Sequence, residues 1–135
     1  MHDVKIFNSA VAGTRETKKL FLPDDKTHSG RYSLYADRGA EAVNVDCITL
    51  DDLFAANTLE HVDLLKVDCQ GAEYEILYQA SPQTIAKVSA IVVECEEFVD
   101  GRNRSVAEMA LYLKKMGFAL SMRENLIYAS KPPIP

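Results

Sequence analysis

Residues 62–77 read VDLLKVDCQGAEYEIL, and this stretch decides the fold class. Its first part, Val62 to Asp68, is mostly apolar, which is typical of a strand buried on both faces of a parallel sheet. After Gly71, apolar residues at positions 72, 76, 77 and 80 follow the period of an α-helix. A strand that leads directly into a helix predicts a parallel α/β fold, with Asp68 at the carboxyl end of the strand.

The same alternation continues towards the C-terminus. Ala90 to Glu94 predicts a second buried strand, and Ser81-Pro82 predicts a short further turn of helix before it. Ser105 and Glu108 have the spacing of a capping box, so a helix follows and ends at Gly117. The remaining segments, 118–122 and 126–129, predict an antiparallel β-hairpin. We therefore expect one domain over residues 1–130 and an extended, unpaired tail at 131–135.

The N-terminal part of the chain is rich in β-forming residues. Short apolar or alternating runs predict strands at 4–12, 19–22, 32–35 and 42–48, with turns at 13–14, 23–25 and 37–39. Thr49 and Asp52 form a second capping-box pattern, which predicts a short helix from Leu50 to Ala56.

Composition and charge exclude several classes of partner. The formal charge of −5 disfavours nucleic acid and anionic membranes as main partners, and no apolar run is long enough to span a bilayer. No signal-peptide pattern begins the chain, so we expect a cytoplasmic protein. The odd set of three cysteines, Cys47, Cys69 and Cys95, indicates reduced thiols that are buried or half-buried. No histidine has metal-ligand spacing with them, so no metal site is predicted.

Candidate chemistry is concentrated around Asp68. Ligands of open α/β sheets bind outside the carboxyl ends of the strands, where Asp68 and Gly71 are predicted to lie. Lys66 is two residues from Asp68 and therefore lies on the same side of the strand. A purely structural interpretation stays open, because Asp68 could cap the following helix and Glu73 could stabilise its first turn.

The run resembles the signature of FkbM-type methyltransferases, in which an apolar strand ends in Lys-x-Asp-x-x-Gly-x-Glu. Lys66, Asp68, Gly71 and Glu73 meet that pattern here. Further similarities are the lead-in at residues 48–53, ITLDDL, the segment at 8–13, NSAVAG, and VVE at 92–94. The resemblance implies a Rossmann-like class I methyltransferase sheet that opens at its third strand, so that it is truncated at the N-terminus, and closes with the antiparallel hairpin.

The resemblance also implies a function. It implies transfer of a methyl group from S-adenosylmethionine to a small hydroxyl-bearing acceptor of sugar or natural-product type. Asp68 would be the catalytic residue, orienting or deprotonating the acceptor or lining the methyl-donor pocket. Lys66 and Glu73 would form a supporting ion pair, with Gly71 and Glu94 completing the motif. Asn8 and Ser9, together with Asp68, would contact the cofactor.

Two features depart from the family pattern. Gln70 replaces the acid that usually precedes the glycine, and none of the six glycines forms the glycine-rich turn that holds the cofactor. A non-catalytic, truncated methyltransferase-like domain acting in assembly or without function is therefore the alternative. Without the first two strands of the implied sheet, the apolar edge of strand 62–68 would be unpaired, which predicts self-association.

Overall fold

The structure is a computed structural model that describes residues 3–22, 32–35, 41–99 and 102–132. In chain order its elements are β1 (Ala10–Val11), β2 (Thr17–Phe21), β3 (Ala42–Ile48), α1 (Leu50–Ala56), β4 (Val62–Val67), α2 (Glu73–Gln79), α3 (Pro82–Ala86), β5 (Val88–Glu94), β6 (Phe98–Val99), β7 (Arg102–Asn103), α4 (Val106–Lys115), β8 (Ala119–Arg123) and β9 (Leu126–Ser130). The chain therefore has the predicted mixed α/β organisation.

The larger sheet has four strands in the order β4-β5-β9-β8. β4 and β5 are parallel, with Lys66 opposite Val92. β9 pairs antiparallel with β5 and with β8, so the predicted C-terminal hairpin is confirmed.

The core lies on one face of this sheet. Ile91 and Ile127, on neighbouring strands, are fully buried together with Leu77 of α2 and Leu113 of α4. Alternation along a strand sends every second side chain to the opposite face. That face is open: Leu64 of β4 is 58% exposed and Tyr128 of β9 is 45% exposed.

The prediction that β4 is buried on both faces is therefore wrong. The strand is apolar, but the buried residues of the helices belong to the same core cluster as Val67, Ile91 and Ile127, and so they pack on one face only. An apolar sequence predicts that β4 is a strand, but it does not determine whether other elements cover one face of the strand or both.

A smaller sheet in the order β1-β3-β2 contains the N-terminal strands. Residues 4–12 form a strand only at Ala10–Val11, because the apolar residues before it have no strand partner in the described part of the chain; Ile6 is 89% exposed. Gly13 lies so close to α2 that a Cβ there would be 3.0 Å from Cβ of Glu75. Lys18 also binds Glu75, at 3.1 Å, which joins this sheet to α2.

Most predicted element boundaries agree with the structure. The Thr49 capping box has both of its hydrogen bonds, and Ser105 caps α4 by accepting from the amide of Glu108. Residues 32–35 form only an isolated bridge between Ser33 and Phe21. The turns predicted at 23–25 and 37–39 and the end of the tail, 133–135, lie outside the described residues.

The start of the tail and the cysteines complete the description of the fold. The amide of Lys131 donates to the carbonyl of Ser89 at 2.9 Å, so the tail is tied to β5 at its first residue. Cys47 and Cys95 are buried and Cys69 is half-buried, and all three are free thiols as predicted. Among the described helices, none has the length and apolar character to cross a membrane.

Candidate ligand site at the carboxyl end of β4

A tight turn at residues 69–72 connects β4 to α2. Gln70 has φ of 51° and Gly71 has φ of 115°, so two consecutive residues adopt left-handed backbone conformations. Glycine takes this conformation without penalty, whereas glutamine is strained in it. Helix α2 begins after this turn, at Glu73. Such strain is common at functional sites.

Asp68 lies at the start of this turn and has a partner at each carboxylate oxygen. Lys66 Nζ donates to Oδ2 at 2.8 Å, and Gln70 Nε2 donates to Oδ1 at 3.4 Å. The hydrogen bond from Lys66 lowers the pKa of Asp68, against a smaller opposing effect of burial. Asp68 is therefore ionised at neutral pH, and about a third of its side chain, 35%, remains exposed to solvent.

Gln70 stabilises the charge of Asp68. An acid at this position, as the family pattern has it, could not donate a hydrogen bond when ionised and would place a second negative charge beside Asp68. The amide of Gln70 donates instead. The departure from the pattern therefore preserves an ionised Asp68.

Glu94, the last residue of β5, lies on the same sheet face as Lys66. Lys66 is opposite Val92, and Glu94 is two residues further along, so their side chains point to the same side. The charge of Glu94 contributes, after the larger effects of Asp68, to raising the pKa of Lys66. Asp68 and Glu94 thus form an acidic edge at the ends of two parallel strands, on the same sheet face as Lys66.

The predicted ion pair between Lys66 and Glu73 is wrong. Lys66 binds Asp68, whereas Glu73 is 0% exposed and accepts two backbone hydrogen bonds. Its Oε2 accepts from the amide of Gly71 at 2.9 Å and its Oε1 accepts from the amide of Glu96 at 2.7 Å. Burial raises the pKa of Glu73, and the hydrogen bonds from the amides act in the opposite direction. The left-handed turn rotates the chain so that Glu73 lies under it, on the core side of β4.

One contact of the turn comes from a residue far away in the sequence and was not predicted. Ser33 is 3% exposed, and its hydroxyl donates to the backbone carbonyl of Gln70 at 2.7 Å. The amide of Tyr35 donates to the same hydroxyl oxygen at 3.1 Å. A single serine 37 residues before its partner has no local signal, and only the tertiary fold brings the two together.

Asn8 and Ser9 are exposed and immediately precede β1, which pairs with β3. The described hydrogen bonds of Asp68, Gln70 and Gly71 do not include either residue. Their predicted contact with a cofactor stays a prediction. Within the described part of the chain, no group of acidic, cysteine and histidine side chains has the arrangement of a metal site.

Comparison with known proteins identifies the family. The model of the methyltransferase FkbM domain matches residues 3–120, which is most of the chain. The chain belongs to the FkbM methyltransferase family. It is also 34% identical over 89 residues to the AMB antimetabolite synthetase AmbE of Pseudomonas aeruginosa PAO1. That alignment covers 65% of this chain and 4% of the synthetase. No solved structure matches the chain.

The FkbM match covers the smaller sheet β1-β3-β2, strands β4 and β5 of the larger sheet and the whole β4–α2 turn. The family motif therefore coincides with the part of the molecule where charge, backbone strain and buried hydrogen bonds converge. Lys66, Asp68 and Glu94 lie at the carboxyl ends of β4 and β5, Gly71 lies in the turn after β4, and Glu73 is the first residue of α2.

Proposed function

We propose that the chain carries the acceptor-side half of a site for S-adenosylmethionine-dependent methyl transfer to a hydroxyl group of a small molecule of sugar or natural-product type. The observation that supports this most strongly is the ionised Asp68 at the end of β4, held between Lys66 and Gln70 within the family motif. Open α/β sheets bind their ligands at this edge.

The residues at this edge suit a cationic ligand. When bound, S-adenosylmethionine supplies a methyl group that is activated by its sulfonium sulfur. Attack of the acceptor oxygen on the methyl carbon displaces a neutral thioether, and the hydroxyl proton is released. Asp68 and Glu94 supply negative charge at the ends of neighbouring strands, where a cation is favoured. The glycine-rich turn that holds the methionine part of the cofactor is absent from residues 1–135, so these residues account for one side of the site.

Asp68 is suited to orientation more than to proton abstraction. A hydrogen bond from Lys66 lowers its pKa, and a weaker base removes a hydroxyl proton less readily. An ionised carboxylate can still accept a hydrogen bond from the acceptor hydroxyl and align its oxygen with the methyl group. Of the roles considered for Asp68, the lowered pKa supports the orienting one.

The alternative is a methyltransferase-like domain that does not bind cofactor and acts in assembly. It is favoured by the edge of β4, which in the described part of the chain is paired only on its β5 side. Leu64, on this strand, is 58% exposed. An unpaired apolar strand edge is a template for pairing with another chain. We propose that this edge mediates association with a second copy of the chain.

Calorimetric titration of S-adenosylmethionine into the purified chain tests the main proposal. We expect saturable binding that Asp68→Asn weakens by at least about 10-fold, because the substitution removes a charge beside a cation. Asp63→Asn is the matched control, since Asp63 lies on the same strand and its side chain is 97% exposed. Absence of binding by folded protein, or equal loss in both variants, would favour the non-catalytic alternative.

A further inference from the structure

Glu73 is the most deeply buried charged side chain of the candidate site. It is 0% exposed, and its two oxygens are engaged by the amides of Gly71 and Glu96. Within the described residues it forms no ion pair with a lysine or arginine. Burying a carboxylate without a counter-ion is costly, so its hydrogen bonds have to compensate for lost hydration.

The two amides belong to turns that follow neighbouring strands. Gly71 lies in the turn after β4, and Glu96 lies two residues after the end of β5. The paired register of the two strands ends at Val67 and Val93. Beyond that point the Glu73 carboxylate provides a connection between the two chain segments, on the core side of the sheet.

Only a carboxylate of this length can make both bonds. Each amide requires an acceptor, and an ionised glutamate offers one oxygen to each. Glutamine would offer one acceptor and would turn an NH₂ donor towards the other amide. Aspartate keeps the charge but is shorter by one methylene, so it cannot span the same two amides without movement of a turn.

We infer that Glu73 is a positioning residue: it fixes the Asp68 turn relative to the end of β5, and so sets the separation of Asp68 and Glu94 at the ligand edge. This inference rests on the proposed function for its ligand, while the bridge itself does not. Asp68 and Glu94 face the ligand side, and Glu73 acts on them from the core side through the backbone of their own turns.

The bridge can be tested without any ligand. In a pH titration followed by NMR of the ¹⁵N-labelled chain, the amide protons of Gly71 and Glu96 should move together with one apparent pKa. That pKa should lie above the ordinary glutamate value of about 4.3. Glu73→Gln should abolish the shared titration, whereas Glu96→Gln and Glu97→Gln should leave it in place. Independent titration of the two amides in the unaltered chain would overturn the bridge.

The positioning role is tested with S-adenosylhomocysteine as the probe. We expect Glu73→Gln and Glu73→Asp to weaken the binding of S-adenosylhomocysteine by at least about 10-fold. Circular dichroism verifies that the variants are folded. A residue that only supports the fold would lower the unfolding midpoint and leave the affinity of the folded protein unchanged, which would overturn the role. If Glu73→Asp keeps the affinity while Glu73→Gln loses it, the negative charge of residue 73 matters and the bridge between the two amides does not, which would overturn the role.

The two failures are distinguishable. If the unaltered chain does not bind S-adenosylhomocysteine, the result contradicts both the proposed function and the positioning role of Glu73 for this ligand. The shared titration of Gly71 and Glu96 then decides separately whether Glu73 joins the two turns.

Discussion

At the scale of single residues, the site depends on a turn whose backbone conformation few residue types other than glycine adopt. Gly71 has φ of 115° and Gly117 has φ of 90°, so both need the left-handed backbone. They differ in surroundings: Gly71 is buried and donates to Glu73, whereas a Cβ at Gly117 would meet nothing within 4 Å. Both residues have positive φ, and Gly71 alone of the two is buried, so Gly117 is the comparison for Gly71.

We predict that Gly71→Ala destabilises the protein more than Gly117→Ala does. Gly117→Ala should cost about 1 kcal/mol, the usual penalty for a non-glycine residue in this conformation. Gly71→Ala should cost at least about 1 kcal/mol more, because relief of the strain would move the amide that Glu73 accepts from. Urea denaturation of both variants measures the difference. Equal costs would mean that the Gly71 turn is not held in place by Glu73.

The residues of the site could be predicted only in part. Lys66 and Asp68 are two apart on a strand, so their proximity follows from local geometry. Glu73 was assigned to the wrong partner because its direction depends on two left-handed residues before it, and the sequence shows a glycine at only one of them. Ser33 reaches the turn through tertiary contacts with no local pattern.

At the scale of elements, α1 is fixed at its start by side chains that can be recognised in the sequence. The hydroxyl of Thr49 accepts from the amide of Asp52, and the Asp52 carboxylate accepts from the amide of Thr49. Arg15 Nε also donates to Asp52, at 3.1 Å. Hydrogen bonds from Arg15, followed by those from Thr49, hold the pKa of Asp52 far below its ordinary value.

This depressed pKa predicts a stability difference that depends on pH. An acid whose pKa is lower in the folded state stabilises the fold above its unfolded pKa of about 3.9. That contribution is lost as the pH falls through the folded pKa. Asp52→Asn should therefore be less stable than the unaltered chain at pH 7, and the difference should narrow below about pH 3.9.

Thermal unfolding between pH 2 and pH 7 measures this difference, with Arg15→Met as the partner control. In the Arg15→Met background the effect of Asp52→Asn should be smaller at pH 7, because the hydrogen bonds from Arg15 that lower the pKa of Asp52 most are gone. A pH-independent difference would show that Asp52 acts through the shape of its side chain alone.

The elements that sequence reasoning described less well are those whose environment is not local. Residues 4–12 are apolar enough for a strand, yet within the described part of the chain only Ala10–Val11 pairs with another strand, because pairing requires a neighbour in space. β4 has the composition of a fully buried strand, yet Leu64 is exposed because the helices pack on the other face. Caps and hairpins, by contrast, close over a few residues and were predicted within one or two positions.

At the scale of the whole molecule, the open edge and face at β4 predict association between copies. Leu64 on β4 and Leu111 on α4 are both 58% exposed, so Leu111 is a leucine of equal exposure outside the β4 edge. We predict that Leu64→Lys reduces self-association, since a charge on an edge strand opposes pairing. Leu111→Lys should leave it unchanged. Light scattering over a range of concentrations measures the mass of the associated species. Equal masses for the two variants would exclude the β4 edge as the surface of self-association.

The most direct test of the central claim, that the turns after β4 and β5 form a ligand site, is a map of where the cofactor product binds. S-adenosylhomocysteine added to the ¹⁵N-labelled chain should shift the backbone amides of residues 68–72 and 94–96. Amides at the opposite end of the same strands, those of Val62 and Val88, should not move. Shifts confined to another surface, or none at millimolar ligand, would contradict the claim.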